Sequence, residues 1–353
     1  MKKNKIIFLI LFSFFSICFV YHDYFLYKSP ILKIESLKEE IDLENDKVHQ
    51  TINGIIKNGK YKNLKITVDN TSSKSFVLDE KITKYSDLFI NIDKSMNVSI
   101  TGIKRDKYVV LVFVIFIDLI IMFAGKKGLK TVLSLFVNIL ISIVALYLLL
   151  NKKLNINMIG LYLIVSILFI VGSLLISNGF NKKSYAAILS SIISLFISFF
   201  LSYILVLIYK DNLPLWTMEY IEVVDEYINF FLVTILLSGL GAIMDVAITI
   251  SSSLNEIIKK NPSIDSRSLK KSGLEISKDI VGTMSGVMFF TCYSSVIPLM
   301  VLALKNNISL QNAIFLYGQL ELIIVLASCI SITMAIPITL FISTRLLRRK
   351  DEI

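Results

Sequence analysis

The sequence predicts a polytopic α-helical membrane protein of about eight transmembrane helices, with a small β-rich extracytoplasmic domain after the first helix. Three observations predict it. Hydrophobic residues fill 55% of the 353 positions and charged residues only 18%, against about 45–50% and about 25% in a soluble domain. Seven apolar stretches follow residue 107, each with the ~17–25 residues needed to cross ~30 Å of hydrocarbon. One long segment, residues 22–107, breaks the apolar character completely.

Residues 1–21 carry Lys2, Lys3 and Lys5 ahead of an apolar run over 6–21. No small-x-small cleavage pattern follows it, so this reads as an uncleaved signal anchor with its N-terminus in the cytoplasm. Residues 22–107 hold 15 Lys/Arg against 13 Asp/Glu and no run long enough to span. Within them 48–56, 64–68, 76–78, 88–92 and 98–103 alternate or are rich in β-branched residues, as half-buried strands do. Residues 57–60, 69–73 and 93–95 read as turns, and 31–46 as a linker or short helix. About five short strands in ~60 residues predict a small barrel or sandwich. His49 reads as a strand surface residue.

The membrane domain covers residues 108–345, with spans at 108–124, 129–150, 157–177, 184–209, 229–251, 280–304 and 312–342, and residues 346–353 form a basic tail. Counted from a cytoplasmic N-terminus, the inside segments carry eighteen basic residues and the short outside loops four. The positive-inside rule then puts both termini in the cytoplasm and residues 22–107 outside. This placement uses up the net charge of +10, and no basic stripe with interleaved aromatics points to nucleic acid. The outer loop 210–227 is acidic and holds the single tryptophan, Trp216, which reads with Tyr220 as an interfacial anchor.

Residues 237–256, LSGLGAIMDVAITISSSLNE, organise the rest. Ser238, Gly241, Ala242, Asp245, Thr249, Ser252 and Glu256 recur every three or four residues, so they share one face of a helix. Such a face belongs against protein or a wet cavity, not lipid. Across the spans the charged residues are acids: Asp118, Asp245, Glu321 and, at a helix start, Asp279. An ionised carboxylate in hydrocarbon costs ~2.5–3.5 kcal/mol or more, so each needs a proton, a bound cation or water. Asp118, Asp245, Asp279, Glu321, Thr249 and Glu256 are therefore the candidate ion or substrate pathway residues, with protonated packing glue as the alternative role. Gly239, Gly241, Ala242 and the Gly282-x-x-x-Gly286 pair are the candidate helix-packing positions. Pro337 predicts a kink in the last helix.

The strings at 237–256 (LSGLGAIMDVAITISSSLNE), 272–286 (SGLEISKDIVGTMSG) and 335–339 (AIPIT) resemble the YibE/F-like family of bacterial membrane proteins over about residues 108–345. The resemblance implies a transport role through membrane topology, and it implies a basic residue where this chain has Ile324, three places after Glu321.

The leading expectation is a secondary transporter or exporter, with membrane carboxylates coupling H⁺ or Na⁺ to movement of a solute. No GxxxxGK[ST] phosphate loop points to ATP. The alternative is a non-transport scaffold, or an assembly partner acting through the β domain on an envelope component or as a homo-oligomer. An intramembrane aspartyl protease would pair Asp118 with Asp245, but its GxGD signature is broken by Ala242, so no enzyme and no catalytic residue is expected. Cys18, Cys292 and Cys329 lie singly in apolar spans, and neither HExxH nor a Cys/His cluster occurs. No metal and no cofactor is therefore expected, and the lipid bilayer is the one certain partner.

Overall fold

Short alternating strands separated by turn residues build the first half of the chain, and long apolar helices build the rest. The structure is a computed structural model that describes residues 3–42, 46–73, 80, 82–93, 97–151, 154–215, 218 and 227–348. It divides into two compact units, Met1–Gly128 and Leu129–Ile353.

In the first unit, helix α1 (Lys3–Tyr21) runs into a 3-10 turn, Asp23–Leu26. Five strands follow: β1 (Ile31–Asp42), β2 (Lys47–Ile56), β3 (Lys65–Ser73), β4 (Asp87–Ile92) and β5 (Val98–Lys104). They form one antiparallel sheet in the order β3-β2-β1-β4-β5. The sheet curls into a half-barrel in which the edge strands β3 and β5 meet without a ladder between them. Irregularities at Ile34/Ser36 and Phe89/Ile90 supply the bend, as bulges do. The inward face carries Leu32, Ile34, Ile52, Ile56, Leu88 and Ile90.

Two sequence expectations are corrected here. Residues 31–46 are not a linker or helix, because β1 fills most of them and is the central strand. Its Lys/Glu-rich second half hid the pattern, since it forms a long exposed arm paired only to β2. Residues 69–73 are likewise not a turn but the end of β3, where Asp69–Ser73 pair with Thr51–Lys47. The strand expected at 76–78 and the interfacial Trp216 and Tyr220 lie outside the described residues.

The sheet is tied to the helices by a buried cation. Lys104, at the end of β5, is 2% exposed and lies 2.7 Å from Asp23 and 2.6 Å from Asp106, the first residue of α2 (Asp106–Leu150). Its ammonium sits over the rings of Tyr24 and Tyr27, and Tyr27 donates to Asp106 at 2.6 Å. Burial acts to lower the Lys104 ammonium, but the hydrogen bonds to Asp106 and Asp23 outweigh it and hold it above the usual lysine value. Burial, then the Asp87 carboxylate, pushes Tyr24 up to about 12, and burial with Asp106 raises Tyr27 as well.

Helix α2 breaks at Gly125 (φ 56°, ψ −128°), a conformation open to glycine and strained for other residues. The backbone doubles back there, so that a Cβ on Gly128 would come within 2.5 Å of the Ile120 carbonyl oxygen.

The second unit holds the remaining arm of α2 with α3 (Met158–Asn178), α4 (Lys182–Tyr209), α5 (Tyr227–Ser238), α6 (Leu240–Lys260) and α7 (Ser266–Lys305). A short α8 (Leu310–Ala313), a π-helical turn at Ile314–Gly318 and α9 (Gln319–Arg348) complete it as one continuous rod. Among the described residues six helical stretches are long and apolar enough to cross a membrane. Asn157, Asn181, Asp265 and Ser309 cap the starts of α3, α4, α7 and α8 by accepting backbone N–H groups.

Helices α4, α6 and α9 pack against one another at the centre. Their contact is built from Ala187, Ile243, Val246, Ala247, Ile250, Ile332 and Ala335 together with buried hydroxyls on α4, Ser190, Ser194 and Ser198. Ser190 and Ser194 donate back to Ala186 O and Ser190 O at 2.7 Å, which settles their hydroxyls without a partner helix. Small side chains let the backbones approach closely, which is the chief attraction between helices in lipid.

Replacing Lys104 by Met leaves Asp23 and Asp106 without their cation, at an expected cost of about 3–5 kcal/mol. Thermal unfolding followed by the strand signal in circular dichroism checks it. The pH dependence has a definite sign. Lys104, Tyr24 and Tyr27 all hold their protons more tightly folded than unfolded, so their contribution is complete below the usual pKa of about 10 and is lost as pH rises through the raised values. The melting temperature is expected to fall above about pH 10 and to fall less in Lys104→Met; a flat profile to about pH 11.5 contradicts the cluster.

Candidate functional site

The last rod explains the site. An α-helix that takes in one extra residue per turn forms a π-turn, which opens a local gap in the packing and is frequent at functional positions. Here the π-turn Ile314–Gly318 immediately precedes Glu321, in the first turn of α9. Eleven residues of helix precede Glu321, about 16 Å of rise, so it lies well inside the rod rather than at its end. The irregularity of this rod is at 314–318, while the helix runs on through Pro337.

Beside the turn lies a cavity of about 280 Å³ between α5, α7 and the last rod. Phe231 and Thr234 of α5, Val296 and Leu299 of α7, and Tyr317 and Glu321 form its walls, with Leu316, Leu320 and Ile324 around them. Glu321 is its one charged lining residue among those described. Cys292, one helix across on α7, is the polar neighbour of that carboxyl. Thr234 already donates its hydroxyl to Phe230 O at 3.0 Å. Gly318 packs against Tyr293 and Met300, where an added Cβ would meet the end of the Met300 side chain at 3.0 Å.

The polar stripe on α6 lies elsewhere. Ser238 and Ser328 hydroxyls are 2.8 Å apart, and so are those of Ser251 and Ser343. Two matched contacts fix α5–α6 parallel to α9 and set their register. Asp245 then stands level with about Ala335, roughly 20 Å along the axis from Glu321 at ~1.5 Å per residue. The two acids do not converge. On the antiparallel α7, Gly273 meets Leu254, which brings Asp279 level with Thr249 to within ~2 Å.

The stripe is turned outward. Gly241, Asp245, Thr249 and Glu256 are exposed, and the opposite side of α6 (Leu240, Ile243, Val246, Ile250 and Leu254) is buried in the core. Asp279 and Gly282 are exposed too, with Thr283 donating to Asp279 O. Glu256 pairs with Lys259 at 3.0 Å on the open surface. Asp118 belongs to the first unit: it is half-buried in α2 and accepts a hydrogen bond from Ser13 of α1. Its other oxygen is buried without a partner among the described residues.

The glycines divide differently from the sequence expectation. Gly239 is a packing position, with its would-be Cβ 3.3 Å from Ser331, and Ala242 is buried in the core. Gly241, Gly282 and Gly286 meet nothing within 4 Å, so the Gly282-x-x-x-Gly286 pair does not bring α7 onto another described helix. Motif spacing alone does not say which helix face is turned inward. Gly273, unremarked in the sequence, is the position where α7 closes on Leu254 and Leu340. Sequence reading also passed over Thr234, Tyr317 and the serines of α4, although Ser190, Ser194, Ser198 and Ser202 stand at a strict four-residue spacing.

A half-barrel followed by a bundle of long apolar helices, with acids set at separate depths, defines a polytopic helical membrane protein carrying a β domain. The YibE/F-like protein family model matches residues 112–349 and the YibE/F family N-terminal domain matches residues 25–104, so the chain belongs to the YibE/F family. No curated protein and no solved structure matches it.

Substituting the glycines separates the two kinds. Gly239→Val is expected to destabilise by about 1–3 kcal/mol through overpacking against Ser328 and Ser331, whereas Gly282→Ala and Gly286→Ala are expected to be neutral or slightly stabilising, by up to about 1 kcal/mol of helix propensity. Melting temperatures of the detergent-solubilised variants test this.

Proposed function

We propose that the chain is a secondary transporter or exporter of the bacterial cytoplasmic membrane, with membrane carboxylates coupling H⁺ or Na⁺ to the movement of a solute. In this reading eight helices cross the bilayer: α1, the two arms of α2, α3, α4, α5–α6, α7 and the α8–α9 rod. Both termini are cytoplasmic, in keeping with the eighteen-to-four basic bias, and the half-barrel is outside. Glu321 then lies in the outer half of the bilayer and Asp245, Thr249 and Asp279 in the inner half.

The observation that carries the reading is the Glu321 cavity at a π-turn. A carboxylate held beside a gap in an apolar bundle is expensive unless it binds something, and a π-turn is a helix irregularity of the kind that lines pathways. The exposed Asp245–Thr249 face adds a second polar position about 20 Å further in, which lipid would not tolerate uncovered. Alternating access would expose the two positions to water in turn, with protons or Na⁺ bound and released at the acids. No phosphate-loop motif occurs in the sequence, so an ion gradient is the proposed drive.

A second reading is favoured by the Lys104 cluster, which locks the half-barrel to the end of α1 and the start of α2. A rigidly mounted outer domain suits a scaffold that engages an envelope component or a second copy.

Reconstituted vesicles under an imposed pH or Na⁺ step decide between them. Transport predicts a solute or ion flux that falls at least ten-fold in Asp245→Asn and Glu321→Gln. Flux absent from the wild type, with cellular function lost only when residues 22–107 are deleted, supports the scaffold and overturns the transport reading.

A further inference from the structure

The chemistry of the Glu321 cavity narrows what it holds. Its walls are apolar and aromatic, Phe231, Val296 and Leu299 with the ring of Tyr317, and its one charge among the described residues is a carboxylate. No Lys, Arg or His of the described residues lines it, so an anion would be repelled with nothing to offset the repulsion. A bare metal ion would need about six oxygen ligands, and the lining side chains offer the Glu321 carboxyl with the hydroxyls of Thr234 and Tyr317, short of that number. A purely apolar molecule would leave the carboxylate desolvated with only the Cys292 thiol beside it. A molecule with an apolar body and a single positive charge meets every wall: the body takes the apolar contacts, the charge pairs with Glu321, and aromatic faces attract cations. The volume, about 280 Å³, is just under the roughly 300–1,000 Å³ typical of drug-sized ligands, so the guest is a small one.

We infer that the Glu321 cavity binds a small organic cation, an aromatic or alkyl amine or ammonium with one positive charge. As a statement about substrate this rests on the transport reading above; as a statement about binding it stands by itself.

The test uses the full chain in lipid nanodiscs and two probes of one shape, benzyltrimethylammonium and its uncharged carbon isostere neopentylbenzene, titrated by calorimetry. The wild type is expected to bind the ammonium at least ten-fold more tightly than the isostere. Glu321→Gln is expected to lose at least ten-fold in affinity for the ammonium and to keep that for the isostere. Thr234→Trp, which fills the cavity and leaves Glu321 in place, is expected to weaken the ammonium by a similar factor, and it carries the test if Glu321→Gln does not fold. Equal binding of the two probes, ammonium binding unchanged in Glu321→Gln or in Thr234→Trp, or no binding of the ammonium to the wild type overturns the inference. Binding as expected without ammonium flux in sealed vesicles would sink the transport reading alone, and Asp245-dependent flux of another solute without ammonium binding would sink this inference alone.

Discussion

The membrane unit depends on the packing of α4, α6 and α9, where alanines and serines stand among the buried isoleucines and valines of the shared contact. In lipid there is no hydrophobic drive to bring helices together, so van der Waals contact at short range and hydroxyl pairing must do it. Gly239 against Ser331, Ser238 against Ser328 and Ser251 against Ser343 are the contacts that set depth and register. That register also sets the levels of two of the acids. With α6 locked to α9, Glu321 and Asp245 are held at separate levels, and the apolar side of α6 is committed to the core. Its polar side is left outward as a consequence.

The same constraint sharpens the meaning of each acid. Asp118 has a hydroxyl partner on α1 and resembles packing glue. Glu256 is an exposed, ion-paired surface residue of small energetic worth. Asp245 and Asp279 lie on outward faces at matching depth of their helices, and Glu321 lines a cavity. Glu321 has this cavity beside it, which is why the proposed function centres on it although Asp245 stands out first in the sequence.

Much of this was legible in the sequence. The long apolar helices, the β-rich segment and four of the five strands showed themselves because apolar length and two-residue alternation are local signals. Strand β1 was hidden because half of it is an exposed arm whose alternation is swamped by Lys and Glu. The helix stripe at 237–256 was found, but its direction was not: periodicity says which residues share a face, and only the neighbours decide whether that face is turned in or out. The Gly282-x-x-x-Gly286 pair failed for that reason, while Gly273 and the four-spaced serines of α4 did the packing. The π-turn has no sequence signature, so the cavity beside Glu321 had to come from the coordinates.

The central claim is that Glu321 and Asp245 mark two water-accessible positions reached from opposite sides of the membrane. It is tested most directly by labelling. With Cys18, Cys292 and Cys329 replaced by serine, Glu321→Cys and Asp245→Cys are reacted with a membrane-impermeant maleimide applied to either side of sealed vesicles of known orientation. The account predicts that position 321 labels from the side of the half-barrel and position 245 from the side of the termini. Labelling of both from one side, or of neither from any side, would contradict it.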